Sequence, residues 1–240
     1  MLKPKFSLLA LAIAVLTFVL PTPQAAMSAD PPMLLPGDNL VIQNILPIPL
    51  SLVEQADRYT QSRTAALQSW HPTRREMLIS TRFGDSSQAH RVGQPLGQRY
   101  QLTFFNERVS GISYQPTDGD YFVFSKDSGG NEANQIYRYD LDSGEITLLT
   151  DGISRNSGGA RSKAGDRLVS TSSPPNGAHS DLYILEPSKP GRERLPAAAQ
   201  GGGWFPTDWS PDDQQIVVIQ YNTINETKLW LFDAQTGERP

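Results

Sequence analysis

The chain has 240 residues, no cysteine and a formal net charge of −4, from 21 basic and 25 acidic residues. Its length allows one or two domains, the absence of cysteine excludes disulfides and thiolate metal sites, and the lack of a basic cluster argues against a nucleic-acid partner. With 38% hydrophobic residues, 19 glycines and 19 prolines, the composition favours a turn-rich β protein over a helical one.

Residues 1–28 are predicted to form a secretory signal peptide. Lys3 and Lys5 precede an uncharged apolar run over residues 6–20, and small residues suited to cleavage follow up to Ser28. The run is short for a membrane-spanning helix, which needs about 20 apolar residues, and an uncleaved anchor is the alternative. We therefore expect a periplasmic or secreted protein with no stable membrane anchor after cleavage.

Residues 29–58 are predicted to be a leader or linker. Residues 31–40, PPMLLPGDNL, carry three prolines and a glycine, which favour an extended segment. The stretch from Leu50 to Tyr59 permits a short helix, and Pro47 and Pro49 prevent that helix from starting earlier.

Residues 59–240 carry a degenerate repeat, which reads as a small residue or Asp, an aromatic residue, any residue, proline, a polar turn and an apolar run. The four copies are SWHPTRREMLIS with Pro72, SYQPTDGDYFVFS with Pro116, ARSKAGDRLVSTS with Lys163 in the proline position, and DWSPDDQQIVVIQ with Pro211. The spacings between these positions are 44, 47 and 48 residues. A near-constant period of this length is typical of β-propellers.

The second copy shows the strands of one propeller blade most clearly. Four β-rich runs, at 109–114, 120–126, 135–141 and 146–150, are separated by turns and a loop. In the first copy we predict strands in TAALQSW, EMLISTR and RYQLTFF, with a long polar loop that contains Gln88 and His90. The fourth copy stops before its last strand, and we expect the chain to be the N-terminal part of a longer protein.

The predicted fold is therefore all-β. It is a partial β-propeller of about four four-stranded blades, the last incomplete, preceded by a signal peptide. The blades are predicted to start near residues 64, 109, 158 and 204. Trp70 and Trp209 are predicted to be core residues that pack between neighbouring blades.

The stretches TRFGDSSQ, QLTFF, GGNE and DWSPDD, in this order, resemble the propeller half of bacterial serine peptidases of the prolyl oligopeptidase family, in the dipeptidyl-peptidase and acylaminoacyl-peptidase-like branch. The resemblance covers roughly residues 45–240. It implies a propeller of seven or eight blades that caps an α/β-hydrolase domain with Ser, Asp and His. No G-x-S-x-G motif is present in this sequence, so the chain itself holds no catalytic residue and we leave its enzyme status open.

Two residues are candidates for substrate binding. Glu132, in the loop SGGNEANQ, has the carboxylate that some exopeptidases of this family use to hold a free α-amino group; the alternative is a loop acid that fixes its own turn. Arg82 either faces the propeller tunnel or forms an ion pair between blades. The DLDSGE stretch at 140–145 predicts a hairpin turn, not a calcium loop. We expect no metal and no cofactor.

The main functional hypothesis is a propeller segment that gates and docks peptide substrates for a peptidase domain absent from this chain. The alternative is a non-enzymatic periplasmic protein-binding propeller, which would resemble the propeller protein of the Tol system. A truncated gene product without function is the third possibility, since the exposed edges of an open propeller would promote aggregation.

Overall fold

The structure, a computed structural model, describes residues 31–177, 180–195 and 203–239. The predicted signal peptide lies outside these residues. The chain divides into two units, Met1–Ser62 and Arg63–Pro240, and each is considered by itself below.

In the described part of the first unit, residues 31–62, an extended segment leads into a helix. An isolated antiparallel bridge joins Met33 to Pro49, and the Leu34 amide donates to the Ile48 carbonyl at 2.8 Å. Helix α1 then spans Leu50–Thr60, directly after Pro49, whose extended backbone stands at the N-cap. The proline ring fixes φ and lacks an amide hydrogen, so the helix begins at the next residue. The helix lies in the stretch where the sequence permits one.

The second unit begins with a four-stranded antiparallel sheet in the order β1-β2-β3-β4. The strands are β1 (Ala66–Trp70), β2 (Met77–Thr81), β3 (Gln88–Val92) and β4 (Tyr100–Gln101). The prediction of a polar loop is wrong for the residues of β3, because Gln88 and His90 lie on this strand and are buried. Strand β4 is shorter than the predicted run, since only Tyr100 and Gln101 pair with β3.

Two further four-stranded antiparallel sheets follow, each in simple chain order. The second sheet contains β5 (Ser110–Tyr114), β6 (Tyr121–Lys126), β7 (Gln135–Asp140) and β8 (Ile146–Leu148). The third sheet contains β9 (Arg155–Ser157), β10 (Leu168–Ser173), β11 (Asp181–Glu186) and β12 (Lys189–Arg194). Each sheet thus folds as a meander in which successive strands pair.

The fourth sheet has three strands among the described residues, and again successive strands pair. They are β13 (Gly203–Trp209), β14 (Gln215–Thr223) and β15 (Glu226–Asp233). The first strands of the four sheets begin at residues 66, 110, 155 and 203, where the sequence predicts blade starts near 64, 109, 158 and 204.

The hydrophobic core lies between successive sheets. Strand β6 shows this, because Phe122 and Phe124 join a cluster with Leu78 of the first sheet, whereas Val123 joins a cluster with Leu168 of the third. A third cluster joins the third sheet to the fourth. Its members include Val169, Leu182 and Ile184 of the third sheet and Trp204, Trp209 and Phe232 of the fourth. Since side chains alternate along a strand, an inner sheet of this kind buries both of its faces. The unit is therefore a row of antiparallel sheets stacked face to face, as in propeller blades.

Candidate functional site: a polar cleft between the second and third sheets

The repeat places one side chain of each sheet at an equivalent position, two residues before the proline or Lys163. We call it the aromatic position; its occupants are Trp70, Tyr114, Arg161 and Trp209. Trp209 is buried, and its Nε1 donates to the carbonyl of Ala160, in the preceding copy of the repeat, at 2.9 Å. The Tyr114 hydroxyl donates to Glu76 of the preceding copy at 2.7 Å. At this position a side chain thus packs back on the preceding copy.

The two tryptophans differ in their surroundings. Trp209 is 2% exposed, which confirms its predicted core position, whereas Trp70 is 60% exposed. The prediction that Trp70 is a core residue is therefore wrong for this structure. In the described part of the unit Arg63–Pro240 no sheet precedes β1, so nothing in that unit covers Trp70 as the third sheet covers Trp209.

Arg161 stands at the aromatic position of the third sheet and lines a cleft between the second and third sheets. The cleft has a volume of about 470 Å³. Its walls include the first strands β5 and β9 of the two sheets and are rich in hydroxyl, amide and glycine backbone groups. The polar and glycine lining residues are Ser110, Gly111, Ser113, Ser125, Asn134, Asn156, Ser157, Gly158 and Gly159. The volume lies within the range of sites for small ligands.

The guanidinium of Arg161 is poorly paired. Its Nη2 donates to the Ser113 carbonyl at 3.4 Å, a long bond, while Nε and Nη1 are buried without a hydrogen-bond partner. Burial lowers the pKa of Arg161, and the neighbouring Tyr121 acts in the opposite direction. An arginine stays protonated even so. Because an unpaired buried charge is costly, this cation is an unusual feature of the interface.

Arg138, a second arginine beside Tyr121, provides a contrast. Its guanidinium lies 4.3 Å from the centre of the Tyr121 ring, and that of Arg161 lies 5.8 Å from it. Arg138, however, pairs with Asp140 at 3.0 Å and donates to the Pro187 carbonyl at 3.1 Å. Within residues 31–177, 180–195 and 203–239, Arg161 forms no such pair with a carboxylate. Arg138 is thus neutralised by a neighbouring carboxylate in the described residues, whereas Arg161 is not.

A buried hydrogen-bond network fixes one wall of the cleft. Asn156 donates through Nδ2 to Oε1 of Gln135 at 3.1 Å, and the Thr150 hydroxyl donates to the same oxygen at 2.6 Å. Gln135 donates in turn to the Ser154 carbonyl at 2.7 Å. Since the partners of Asn156 are themselves buried and bonded, its amide group is held in one orientation.

The first sheet contains an equivalent polar arrangement that the sequence reading missed. Gln88 donates to the carbonyls of Phe105 and Glu107, both at 2.9 Å, and the Thr103 hydroxyl accepts the Ala89 amide at 2.9 Å. Thr150 likewise accepts the amide of Ile136. Gln and Thr are 15 residues apart in both copies, a spacing that was available in the sequence as a signal.

Glu132, the first predicted site residue, lies on the loop between β6 and β7. Its side chain is 80% exposed and forms a 3.7 Å ion pair with Arg155, which is 66% exposed. Its backbone has a φ of 58°, in the left-handed region, and its amide donates to Asp127 at 3.1 Å. Arg155 borders a second, shallower cavity of about 400 Å³. Glu132 does not line the Arg161 cleft, and its substrate role stays a prediction.

Arg82, the second predicted site residue, directly follows β2 and is half-buried. It is not among the residues that line either cavity beside the second sheet. The structure therefore does not bring Arg82 and Glu132 together in one cavity, and the role of Arg82 also stays a prediction.

Two histidines are buried beside aromatic rings. His71 accepts the amide of Arg74 through Nδ1 at 3.0 Å and lies edge-on to Tyr114, whereas His90 contacts Phe83. Burial is the main cause that lowers the pKa of both. His90 is fully buried on β3, so its prediction as a loop residue is wrong. His179 lies outside the described residues.

The described residues contain neither a group of metal-ligating side chains nor a candidate membrane span. In residues 31–177, 180–195 and 203–239 no three side chains of the His, Cys, Asp or Glu type are grouped as they would be around a metal ion. The same residues contain no helix of the length and hydropathy needed to cross a membrane.

The fold is shared with known propeller proteins. A TolB from Acinetobacter baumannii matches 74% of this chain, with a TM-score of 0.54 and 23% identity. A chain from a structural study of two prolyl endopeptidases matches 73% of this chain, with a TM-score of 0.54 and 13% identity. An oligogalacturonate lyase from Vibrio parahaemolyticus also matches 73%, with a TM-score of 0.54 and 12% identity.

These similarities show the fold, since proteins with different activities share it. This chain spans 42% of the TolB chain, 29% of the endopeptidase chain and 53% of the lyase chain. No family model matches the sequence, and no curated protein matches it. The row of antiparallel sheets thus has a propeller-like fold, which it shares with part of each of these chains.

Proposed function

We propose that the chain is the peptide-docking propeller of a periplasmic or secreted serine peptidase similar to prolyl oligopeptidases. Its catalytic Ser, Asp and His would belong to a domain further along the polypeptide. The observation that carries this proposal is the polar cleft between the second and third sheets, beside their first strands. Hydroxyl and amide groups in a cleft of this size suit the backbone and polar ends of a short peptide.

The sequence supports a division of labour between docking and catalysis. It lacks a G-x-S-x-G motif, and two of its three histidines are buried among aromatic rings. A general base needs to reach the proton that it removes, and neither His71 nor His90 meets that requirement. This chain would therefore bind peptides and restrict their entry, and the other domain would cleave them.

The test is to read the coding sequence beyond codon 240 and to express the longer protein. We expect more blades, followed by a domain with a G-x-S-x-G motif, and hydrolysis of short chromogenic peptides by the longer protein only. An alanine variant at the motif serine is the matched control. A protein whose downstream part lacks a hydrolase domain, and which leaves all such peptides intact, would contradict the proposal.

A protein-binding propeller without an enzyme domain is the second candidate, favoured by an exposed apolar face of the fourth sheet. Phe205 is 50% exposed and Leu229 is 74% exposed, and both are in register with Ile219 between them. Such a face is typical of a contact surface. If the 240-residue chain forms a stable complex with another protein that Leu229→Lys disrupts, and the longer protein cleaves no peptide, this candidate replaces the first.

A further inference from the structure

We infer that the cleft between the second and third sheets binds an oxyanion, a carboxylate or phosphate group of a small ligand, and that Arg161 is its main anchor. This inference does not depend on whether the propeller serves a peptidase or a protein-binding partner. It rests on the place of Arg161 in the repeat, on its unpaired nitrogens and on the lining of the cleft.

The first argument is the place of Arg161 in the repeat. The other three copies have Trp70, Tyr114 and Trp209 at the aromatic position. An aromatic side chain there would fill the space between the sheets with apolar surface. The arginine instead leaves a cleft of about 470 Å³ and brings a positive charge to its wall.

The second argument is electrostatic. A buried cation is normally paired with a carboxylate or held by several hydrogen bonds. Arg161 donates one long hydrogen bond, of 3.4 Å, to the Ser113 carbonyl and interacts with the side chain of Tyr121, but its Nε and Nη1 have no hydrogen-bond partner among the described atoms. A guanidinium with unpaired N–H donors can bind the oxygens of a carboxylate or phosphate, and release of Nη2 from Ser113 would complete a two-donor fork.

The third argument is the composition of the cleft. Among the described residues its lining contains no Asp or Glu that would repel an anion, and the hydroxyls of Ser125 and Ser157 are possible donors besides Arg161. Gly158 and Gly159, which have no side chains, are also part of the lining. The anion would draw the guanidinium toward the cleft, and a charge-assisted pair would replace the long bond to Ser113.

The competing explanation is structural, because Arg161 also stacks near Tyr121 and bridges two sheets. The variant Arg161→Tyr separates the two roles, since it restores the aromatic residue that the second copy has at this position. If the arginine serves the ligand, Arg161→Tyr should fold at least as stably as the wild type and lose anion binding. Arg161→Lys keeps the charge without the fork and should weaken binding severalfold.

The experiment is a calorimetric titration of the full chain with succinate and with inorganic phosphate, at an ionic strength matched with chloride. We expect one of the two anions to bind the wild type, and the stronger of them to identify the ligand group. Binding to Arg161→Tyr should be at least about tenfold weaker, which is about 1.4 kcal/mol. Arg155→Gln, which removes an exposed charge on β9 outside the cleft, is the matched control and should bind like the wild type.

Each result decides the inference. It is overturned if neither anion binds the wild type, if Arg161→Tyr binds as well as the wild type, or if Arg155→Gln loses as much affinity as Arg161→Tyr. If Arg161→Tyr fails to fold, Arg161→Lys decides, and equal binding by that variant also overturns it. None of these results bears on peptide hydrolysis by the longer protein, so the proposed function is tested separately.

Discussion

At the residue scale, the aromatic position of the repeat shows how one sequence phrase has different energetic consequences in different sheets. Trp209 is enclosed between sheets, donates to Ala160 and lies under the guanidinium of Arg167 at 4.7 Å from its ring centre. Trp70 has the same place in the repeat but is 60% exposed. The repeat therefore specifies the direction of the side chain. Contact with a neighbouring sheet determines how much that side chain contributes to the stability of the fold.

This difference predicts unequal effects of truncation. Trp209→Ala should lower the free energy of unfolding by about 3–5 kcal/mol, because it removes a buried indole and one of the two donors to the Ala160 carbonyl, the other being the Val169 amide. Trp70→Ala is the matched control and should cost about 1 kcal/mol or less, since most of its side chain is already in water. Urea unfolding of the full chain measures both, and equal losses would contradict the packing described here.

The two buried histidines predict a pH dependence of stability. The folded-state pKa values of His71 and His90 lie below their usual value of 6.5, mainly because of burial. Below pH 6.5 the unfolded chain thus takes up protons that the folded chain does not, so the histidines' stabilisation is complete above 6.5 and is lost as the pH falls. Each contributes a slope of at most about 1.4 kcal/mol per pH unit.

The measurement is urea unfolding of the wild type and of a His71→Gln/His90→Gln double variant between about pH 7.5 and 5.5. The double variant should be less stable at neutral pH but should show a flatter dependence on pH. This pH range lies above 4.5, the usual pKa of Glu107. Hydrogen bonds from the Gly129 amide and from Lys126 lower the pKa of Glu107 further. The same slope in both proteins would show that other groups cause the loss.

At the element scale, the strands that were predicted well are those with continuous apolar or alternating runs. The predicted run at 120–126 corresponds to β6, whose two faces are both buried. Strand β3 was missed because Gln88 and His90 resemble loop residues, and their burial depends on partners such as Phe105 and Thr103 far along the chain. Local pattern cannot supply such partners, so a buried polar strand is read as a loop.

The candidate site was the least predictable part for the same reason. Glu132 was chosen for its chemistry in a loop, and the structure places it at the surface beside Arg155. Arg161 is conspicuous only when the four copies are aligned and the cleft beside it is visible. Alignment gives the position of an unusual residue, but only the three-dimensional packing shows that two of its nitrogens are unpaired.

Adjacent glycines on the wall of the cleft provide a test of the packing between strands. A Cβ on Gly159 would run into the Val169 carbonyl oxygen and would stand 2.8 Å from Cγ of Pro206. A Cβ on Gly158 would meet nothing within 4 Å. Gly159→Ala should therefore destabilise the chain by about 1–3 kcal/mol, whereas Gly158→Ala should be neutral or stabilising by up to about 1 kcal/mol.

Thermal or urea unfolding of the two alanine variants decides this prediction, because they differ only in which of two neighbouring residues is changed. If Gly158→Ala is the more destabilising of the two variants, Gly159 does not approach β10 and β13 as closely as described above. Equal effects would show that the segment between β9 and Arg161 moves freely enough to accept a side chain at either position.

At the scale of the whole molecule, the stack of sheets is apolar on a face that no described sheet covers. On the fourth sheet, Trp230 and Phe232 of β15 pack in the core, while Leu229 and Leu231, which alternate with them along the strand, are 74% and 44% exposed. Val217 pairs with Leu231, and Phe205 and Leu229 flank Ile219 on the same face. A strand that is apolar on both sides is built to lie between two layers.

We therefore expect the 240-residue chain to self-associate through this face. A Leu229→Lys/Leu231→Lys double variant should shift the protein toward the monomer, because two charges on the face would have to be desolvated in any contact that buries it. Ile224→Lys is the matched control: Ile224 is 86% exposed in the turn between β14 and β15 and lies outside the face. Light scattering after size-exclusion chromatography, over a range of concentrations, measures the mass of each variant. If the wild type is monomeric throughout, or if Ile224→Lys acts as strongly as the double variant, the exposed face of the fourth sheet is not what holds copies together.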